Sequence, residues 1–409
     1  MKPEFYDLQR MLIRAEIAKQ LEGGQEFSDD QIREMIDESL SARACSGKLS
    51  VALRRRMAEE IFDSIRGLDV LQRILEDEEV TEIMVNGPDR IFVEKHGTLF
   101  RWGGQFESME KLQDVIQQIA AGCNRVVNEA SPILDARLED GSRVNVVLAP
   151  VALNGPAVTI RRFPTEGMTL DKLVQLGALS EECAAFLRRL VKSRYNIFIS
   201  GGTGSGKTTF LNALSQAISE SERIITIEDS AELQLAGIEN LISLETRNQN
   251  VEGCRPVTIR DLIRTSLRMR PSRIIVGEIR GAEISELLTA YNSGHAGSMS
   301  TGHANSAQDM LLRMETMLLM ALGEMPLEAI RRQIASGIDI LIHLGRMRDG
   351  NRKVLEIREI LGFADGEILT QPLYVFEENT ESTREKVCGS LVRKGELIHE
   401  EKLAAAGMV

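Results

Sequence analysis

A glycine-rich loop near the middle of the chain restricts its possible folds more than any other feature. The loop lies between an apolar strand pattern and a helical pattern, and it reads Gly201-Gly202-Thr203-Gly204-Ser205-Gly206-Lys207-Thr208. The pattern G-x-x-x-x-G-K-[ST] in this setting predicts a phosphate-binding loop. Glycines let backbone N–H groups point at phosphate oxygens, the lysine reaches the β- and γ-phosphates, and the last hydroxyl can ligate Mg²⁺ at a helix N-terminus. We therefore expect these residues and Thr209 to bind a nucleotide.

Helical patterns alternate with apolar strand patterns around this loop. The strands are YNIFIS, RIITIED and SRIIVGE, and this alternation is typical of a parallel sheet covered by helices. The third strand is expected to stop on Gly277-Glu278, where nucleotide-hydrolysing enzymes usually show a strand-ending aspartate. A hairpin is expected around Arg348-Asp349-Gly350-Asn351. The fold class is therefore α/β with a P-loop domain.

The first part of the chain has a different pattern. Residues 5–66 read as helices, and Ser28 with Gln31 forms a capping box beside a hydrophobic staple of Phe27 and Ile32. The strands EIMVNG, RIFVEK and TLFRW, a helix from 108 to 121 and further strands then predict a small α+β (PAS-like) domain. The expected division is a helical segment (1–66), an α+β domain (67–163), a linker (164–168) and the ATPase domain with a C-terminal appendage (169–409).

Charge and cysteine content limit the function classes. Lys+Arg 49 against Asp+Glu 61 gives a formal charge of −12, which disfavours nonspecific nucleic-acid binding. The five cysteines are scattered without C-x-x-C spacing, so neither a disulfide framework nor a zinc site is indicated. The chain contains no apolar run long enough for a transmembrane helix. We expect a cytoplasmic protein that reaches a membrane only through partners.

Several polar residues lie where they could face a nucleotide. Glu228, Asp229 and Glu232 follow the strand RIITIED, at the strand end where α/β sheets bind ligands, although they could equally cap a helix. His295 and His303 lie among small residues, and a zinc site is the alternative interpretation. Arg264 and Arg268 are four apart after a Thr258 cap, which predicts one basic helical face.

Four sequence motifs, in the order in which they occur along the chain, carry a family resemblance. GGTGSGKTT, TIEDSAEL, RMRPSRIIVGEIRGAE and GSMSTGHANS resemble the secretion ATPases of the type II/IV superfamily, and more closely the CpaF (TadA-like) branch that powers Flp-type pili. The resemblance covers about residues 66–375. It implies a homo-hexameric ring of two-domain subunits that binds ATP and Mg²⁺ between the domains. It also implies RecA-like C-terminal domains and a ring that drives an inner-membrane platform protein. The acidic balance of the chain adds the expectation that no nucleic acid is bound.

The resemblance also implies site residues. Glu278 matches the catalytic glutamate, Glu228 the acidic-box residue that helps hold magnesium, and His303 the histidine-box sensor of the γ-phosphate. The implied metal ligands are Thr208, Glu228 and Glu278, and Lys207 is implied in catalysis. The arginines that match family positions near the phosphates are Arg143, Arg161, Arg264 and Arg268.

Two residues depart from the family pattern. Gly302 precedes His303 where relatives usually carry a branched apolar residue, so the histidine loop is expected to be loosened. Gly281 follows EIR where many type II relatives have aspartate.

Three functional hypotheses follow from the sequence. The first is an ATP-hydrolysing motor of a secretion or pilus machine. The second keeps the motor but makes DNA or effector proteins its cargo. The third is a nucleotide-gated scaffold that assembles without useful hydrolysis.

Overall fold

The computed structural model describes residues 3–21, 27–43, 50–95, 97–138, 140–162, 167–235, 237–247 and 255–408. The chain forms two compact units, Met1–Pro164 and Thr165–Val409. The first unit contains the N-terminal helices together with the α+β part. Most of the expected linker at 164–168 lies outside the described residues, because 163–166 are not among them.

Three helices open the first unit: α1 (Pro3–Leu21), α2 (Asp29–Arg43) and α3 (Val51–Ile65). They share a small apolar core of their own, which includes Ile17, Ile36 and Ile61. The predicted capping box is present, since the Gln31 N–H donates to Ser28 Oγ at 3.3 Å and the Ser28 N–H donates to Gln31 Oε1 at 2.8 Å. The staple residues Phe27 and Ile32 both pack in this core.

The rest of the first unit is an antiparallel sheet with helices packed on one face. Its elements are α4 (Val70–Glu76), β1 (Val80–Asn86), β2 (Ile91–Lys95), β3 (Thr98–Arg101), α5 (Met109–Gly122), β4 (Ile133–Arg137), β5 (Arg143–Val147) and β6 (Ala157–Arg161). The strand order is β3-β2-β1-β6-β5-β4. Alternate residues of β5 and β6 are buried, and they pack with apolar residues of α4 and α5. The other face of these strands is more exposed.

The second unit contains the remaining elements. In chain order they are α6 (Leu170–Gln175), α7 (Glu181–Lys192), β7 (Ile197–Gly201), α8 (Lys207–Ser215), β8 (Ile224–Glu228), β9 (Leu241–Glu245), α9 (Ile259–Ser266), β10 (Arg273–Ile279), α10 (Ile284–Asn292), β11 (Met299–Gly302), α11 (Ala307–Leu322), α12 (Leu327–Gly337), β12 (Ile340–Arg346), β13 (Arg352–Ala364), β14 (Glu367–Glu378), β15 (Gly389–Arg393) and α13 (Glu401–Ala405).

One large sheet organises this unit. Its order is β15-β14-β13-β12-β7-β11-β10-β8-β9, with the six strands from β12 to β9 parallel and the other three antiparallel. Helices cover both faces and form two apolar cores, one with α7 and α8 and the other with α10, α11 and α12. The predicted RecA-like α/β fold is confirmed. The expectation that β10 stops on Gly277-Glu278 is wrong, because the strand runs through both residues to Ile279.

A buried ion pair joins several elements at the amino end of this sheet. Arg273, at the start of β10, is 1% exposed and donates to the Glu222 carboxylate at 2.9 and 2.7 Å. It also donates to Val191 O at 2.7 Å. Burial raises the pKa of the Glu222 carboxyl, but the hydrogen bonds and charges of Arg273 and Arg194 outweigh burial and lower it. The carboxylate therefore stays ionised and fixes the beginning of β10.

We predict that Arg273→Met lowers the free energy of unfolding by about 3 kcal/mol, because a buried carboxylate loses its main partner. Arg194→Met is the matched control, since it removes the second arginine from the same carboxylate but its side chain is 46% exposed. That control should cost about 1 kcal/mol or less. Urea unfolding of both variants measures the difference, and equal losses would contradict the proposed importance of burial.

Candidate functional site

The phosphate loop lies between the end of β7 and the start of α8, at the carboxyl edge of the parallel strands. Gly204 and Gly206 have φ values of +71° and +90°, which glycine adopts at little cost. Gly201 has no room for a side chain, because a Cβ there would lie 2.5 Å from Ser205 Oγ and 2.6 Å from Leu344 O. The loop backbone is thus closely surrounded where it leaves the strand.

Lys207 is folded back along the loop. Its Nζ donates to Gly201 O and Gly202 O, both at 3.2 Å. Burial lowers the pKa of Lys207, while the negative charge of Glu278 acts in the opposite direction. The ammonium group is therefore held in the loop within the electrostatic reach of Glu278.

Glu278 lies on β10 and contacts two basic side chains. Its Oε2 accepts from Arg280 Nη2 at 3.0 Å, and its Oε1 contacts His303 Nδ1. Arg280 also pairs with Asp229 at 3.2 Å. Burial raises the pKa of the Glu278 carboxyl, but the hydrogen bond and charge of Arg280, and then those of His303, outweigh burial and lower it. Glu278 is therefore held as a carboxylate.

His303 lies between Glu278 and the phosphate loop. Its Nδ1 contacts Glu278, and its Nε2 lies 3.5 Å from Thr203 Oγ1. The neighbouring Gly302 is part of β11, where it pairs with Ser200 of β7. A Cβ on Gly302 would meet Met310 and Phe198 at 3.0 Å. The expected loosening of the histidine loop is therefore wrong at its start, since Gly302 is packed inside the sheet.

Glu228 has a structural task at the end of β8. Its carboxylate is 3% exposed and accepts from the backbone N–H groups of Glu232 at 2.8 Å and Leu233 at 3.1 Å. The helix-cap alternative is wrong, because residues 231–235 form no helix and the carboxylate closes a loop instead. Gly277 on β10 makes room for it, since a Cβ there would lie 2.8 Å from Glu228 Cγ. This contact gives a physical reason for the glycine in VGEIRG.

The donor set fits magnesium better than zinc. Thr208 is half-buried at the first turn of α8, and Glu228 and Glu278 lie on neighbouring strands, so hydroxyl and carboxylate oxygens surround the loop. Magnesium is usually held by one or two such oxygens together with phosphates and waters. Among the described residues, no group of three or more His, Cys, Asp or Glu side chains could hold a metal ion. His295 instead lies 3.3 Å from Ala290 O near the end of α10.

The two arginines preceding β10 do not share a helical face. Helix α9 ends at Ser266, so Arg268 lies in the turn that follows, and the expectation of one basic face is wrong. Arg223 Nε, next to the start of β8, donates to Met269 O at 2.9 Å, which puts this turn at the amino edge of the sheet. Arg264 donates to Glu286 at 2.7 Å. The turn that carries Arg268 therefore lies at the edge of the sheet opposite the phosphate loop, and Arg264 is held in an ion pair with α10.

Arg143 and Arg161 lie in the first unit, directly opposite each other. They are Cα partners in the β5–β6 pair, and Arg137 is the partner of Arg143 in the β4–β5 pair. Directly opposed residues share a face of the sheet, so three arginines form a row on its more exposed face. Arg143 also pairs with Asp135 at 3.4 Å.

Sequence reasoning missed two residues of this site. Arg280 is two positions beyond Glu278, a spacing that puts both side chains on one side of an extended chain, so a signal for it was available. His343 is buried on β12, and its Nδ1 lies 2.8 Å from Ser200 Oγ, directly before the phosphate loop. Burial lowers the pKa of His343. Its partner is 143 residues away in sequence, and no local pattern indicates the contact.

The acidic strand end, the histidine and the phosphate loop together form a site that can bind a polyphosphate and hold a carboxylate beside it. None of the helices in the described ranges combines the length and apolar character needed to cross a membrane.

Comparisons with known proteins identify the family. The family model described as type II/IV secretion system protein matches residues 65–395. A putative conjugal transfer protein of Mycobacterium tuberculosis is 36% identical over 310 residues, covering 74% of this chain and 87% of the relative. The type IV secretion system protein VirB11 of Brucella suis is 32% identical over 306 residues, covering 68% of this chain and 84% of the relative.

A solved structure shares the fold. The pilus retraction motor PilT with bound ADP aligns with a TM-score of 0.51 and 20% identity, covering 83% of this chain and 88% of PilT. With the complete phosphate-loop motif and the family match over residues 65–395, the chain is a P-loop enzyme that hydrolyses ATP. The family match spans most of the sequence, and the chain belongs to the type II/IV secretion system protein family.

Proposed function

We propose that the chain is the ATP-hydrolysing motor of a Flp/Tad-type pilus assembly machine, in the CpaF branch of its family. Six copies form a ring on the cytoplasmic face of the membrane, and nucleotide binds between the two domains of each subunit. Binding and hydrolysis rotate the domains and drive an inner-membrane platform protein. The four sequence motifs of that branch support this proposal, as does the acidic charge of the chain.

One observation carries the proposed chemistry. His303 contacts the Glu278 carboxylate with one ring nitrogen and lies 3.5 Å from Thr203 of the phosphate loop with the other. A side chain in this position can sense the terminal phosphate and move the carboxylate in response. Of His303, Thr203 and Glu278, only Glu278 is a carboxylate, and a carboxylate can accept a proton from the attacking water.

The remaining residues divide the work of binding and stabilisation. Lys207 and the loop N–H groups bind the phosphates, and Glu278 orients or activates the attacking water. Thr208 would hold magnesium, with Glu228 and Glu278 contacting its waters. The ion, when bound, neutralises charge on the phosphates. Glu228 already accepts two backbone hydrogen bonds, so a role through water fits its geometry.

The arginines supply positive charge to the transferring phosphoryl group. Arg143 and Arg161 act from the α+β domain, where they lie in register on one face. Arg268 lies at the edge of the sheet opposite the phosphate loop of its own unit, and Arg264 is paired with Glu286, so we assign both to the nucleotide of a neighbouring subunit. An arginine supplied to such a site is worth about 10³ to 10⁵ in rate.

We predict that Glu278→Gln keeps ATP binding and lowers kcat by at least about 10²-fold, since the carboxylate base is lost while the phosphate loop is intact. Phosphate release and fluorescent-nucleotide binding measure the two effects. Glu239→Gln is the control, because it makes the same charge change on an exposed side chain just before β9, at the edge of the sheet opposite the phosphate loop. Wild-type turnover in the Glu278 variant would refute the assignment.

We predict that Arg280→Ala moves the acidic limb of the pH–kcat profile to higher pH. In the wild type, Arg280 holds the pKa of Glu278 below its usual value against the effect of burial. Without Arg280, burial raises that pKa, so the carboxylate is protonated at a higher pH and activity falls there. Arg280→Lys keeps the charge and should move the limb less. An unchanged limb in Arg280→Ala would contradict the role of this pair.

A second candidate keeps the motor and changes its cargo. The Mycobacterium tuberculosis relative is described as a putative conjugal transfer protein and VirB11 as a type IV secretion protein, which favours DNA or effector proteins. Stimulation of ATP hydrolysis by DNA, with a steep loss as salt rises, would favour this candidate. Hydrolysis that DNA leaves unchanged favours the pilus motor.

A further inference from the structure

An arginine from a distant part of the chain contacts the phosphate loop. Arg352 is the first residue of β13, and it pairs with Arg346 at the end of β12. Strand β12 pairs with β7, which leads into the loop. Arg352 Nε donates to Gly204 O at 2.9 Å, and its Cδ lies 3.2 Å from the position of a Cβ on Gly206. The contact spans 148 residues of sequence.

This hydrogen bond fixes the orientation of one peptide unit. Gly204 O and the Ser205 N–H belong to the same peptide plane, and in a trans peptide they point in opposite directions. The Ser205 N–H donates to Gly202 O at 3.3 Å, while Gly204 O accepts from Arg352. Both ends of the plane are therefore held. Without them, the glycine at 204 permits the plane to rotate at little steric cost.

We propose that Arg352 is a positioning residue that holds the phosphate loop in the conformation that receives the nucleotide. A loop whose backbone is already ordered loses less conformational entropy when it binds phosphates, so the contact favours binding. The proposal rests on ATP binding by the P-loop and on no feature of the cargo or the ring.

Arg352 and the proposed catalytic residues contact the phosphate loop from opposite sides. Arg352 reaches the loop from the β12 side of β7, whereas Glu278 and His303 approach from β10 and β11, on the other side. Within the part of the chain that the structure describes, Arg352 forms no hydrogen bond or ion pair with either of these residues. Its loss should therefore change nucleotide affinity and leave the bond-breaking step nearly unchanged.

The hairpin that carries Arg352 is anchored without its side chain. Strand β13 pairs with β12 on one side and with β14 on the other. The Arg348–Glu378 pair in the turn is solvent-exposed and adds little to this anchoring. The Val387 N–H also donates to Asp349 at 2.8 Å. Truncation of Arg352 is therefore expected to leave the hairpin in place, and Arg348 provides a matched control from the same turn.

The experiment compares Arg352→Ala, Arg352→Lys and Arg348→Ala in the full chain. ADP binding is measured by calorimetry, ATP hydrolysis by steady-state kinetics, and stability by thermal unfolding without nucleotide. Arg352→Ala should weaken ADP binding and raise KM about fivefold to tenfold, with kcat within about twofold, as expected for one lost charge-assisted hydrogen bond. Arg352→Lys should recover about half of the loss on a logarithmic scale, and Arg348→Ala should bind ADP within about twofold of the wild type.

Three results would overturn the proposal. The first is wild-type ADP affinity in Arg352→Ala. The second is an equal loss in Arg348→Ala, which would assign the effect to the hairpin as a whole. The third is a fall in the unfolding temperature of Arg352→Ala without nucleotide that is large enough to explain its weaker ADP binding by loss of folded protein. ATP hydrolysis by the wild-type protein tests the ATPase assignment by itself. A failure of that assignment is therefore distinguishable from a failure of the proposed role of Arg352.

Discussion

The site depends on a short glycine-rich backbone segment that must be held in place by its neighbours. At Gly201, Ser205 Oγ and Leu344 O occupy the space that a Cβ would need. Beyond it, two residues with positive φ shape the loop. A loop built this way gains access to phosphate and loses the stiffness that side chains provide. The neighbouring strands restore this stiffness. Strand β7 lies between β11 and β12, so His303 approaches the loop from one side and Arg352 from the other.

A second constraint is the charge of a half-buried carboxylate. A buried acid without a partner becomes protonated, and a protonated Glu278 cannot act as a base. Arg280 and His303 keep it ionised, but they also occupy both of its oxygens. The two contacts therefore protect the charge of the carboxylate. Each oxygen keeps a further lone pair, so the proposed base can still accept from water, and His303 is the partner that also lies near the phosphate loop.

The sequence predicted the features that depend on local pattern. The phosphate loop, the alternation of helices with parallel strands and the N-terminal capping box all follow from residues within a few positions of one another, whereas the RecA-like fold was implied by the family resemblance. Arg268 was misjudged although a signal was present, since Pro271 disfavours helix just before it and α9 ends at Ser266. Gly277 could not be explained from sequence, because the Glu228 side chain that needs the space comes from a neighbouring strand. His343, Arg273 and Arg352 were missed for the same reason, since their partners are distant along the chain.

The arginine row of the first unit supports the same view of the chemistry. Like charges directly opposite each other in a sheet are unfavourable, so Arg137, Arg143 and Arg161 gain nothing from their mutual position. Glu82 is the partner of Arg161 on β1, and Asp135 pairs with Arg143, which offsets part of this repulsion. Two arginines that repel each other are stabilised when an anion binds beside them. A nucleotide polyphosphate is such an anion, which supports our proposal that Arg143 and Arg161 bind phosphate.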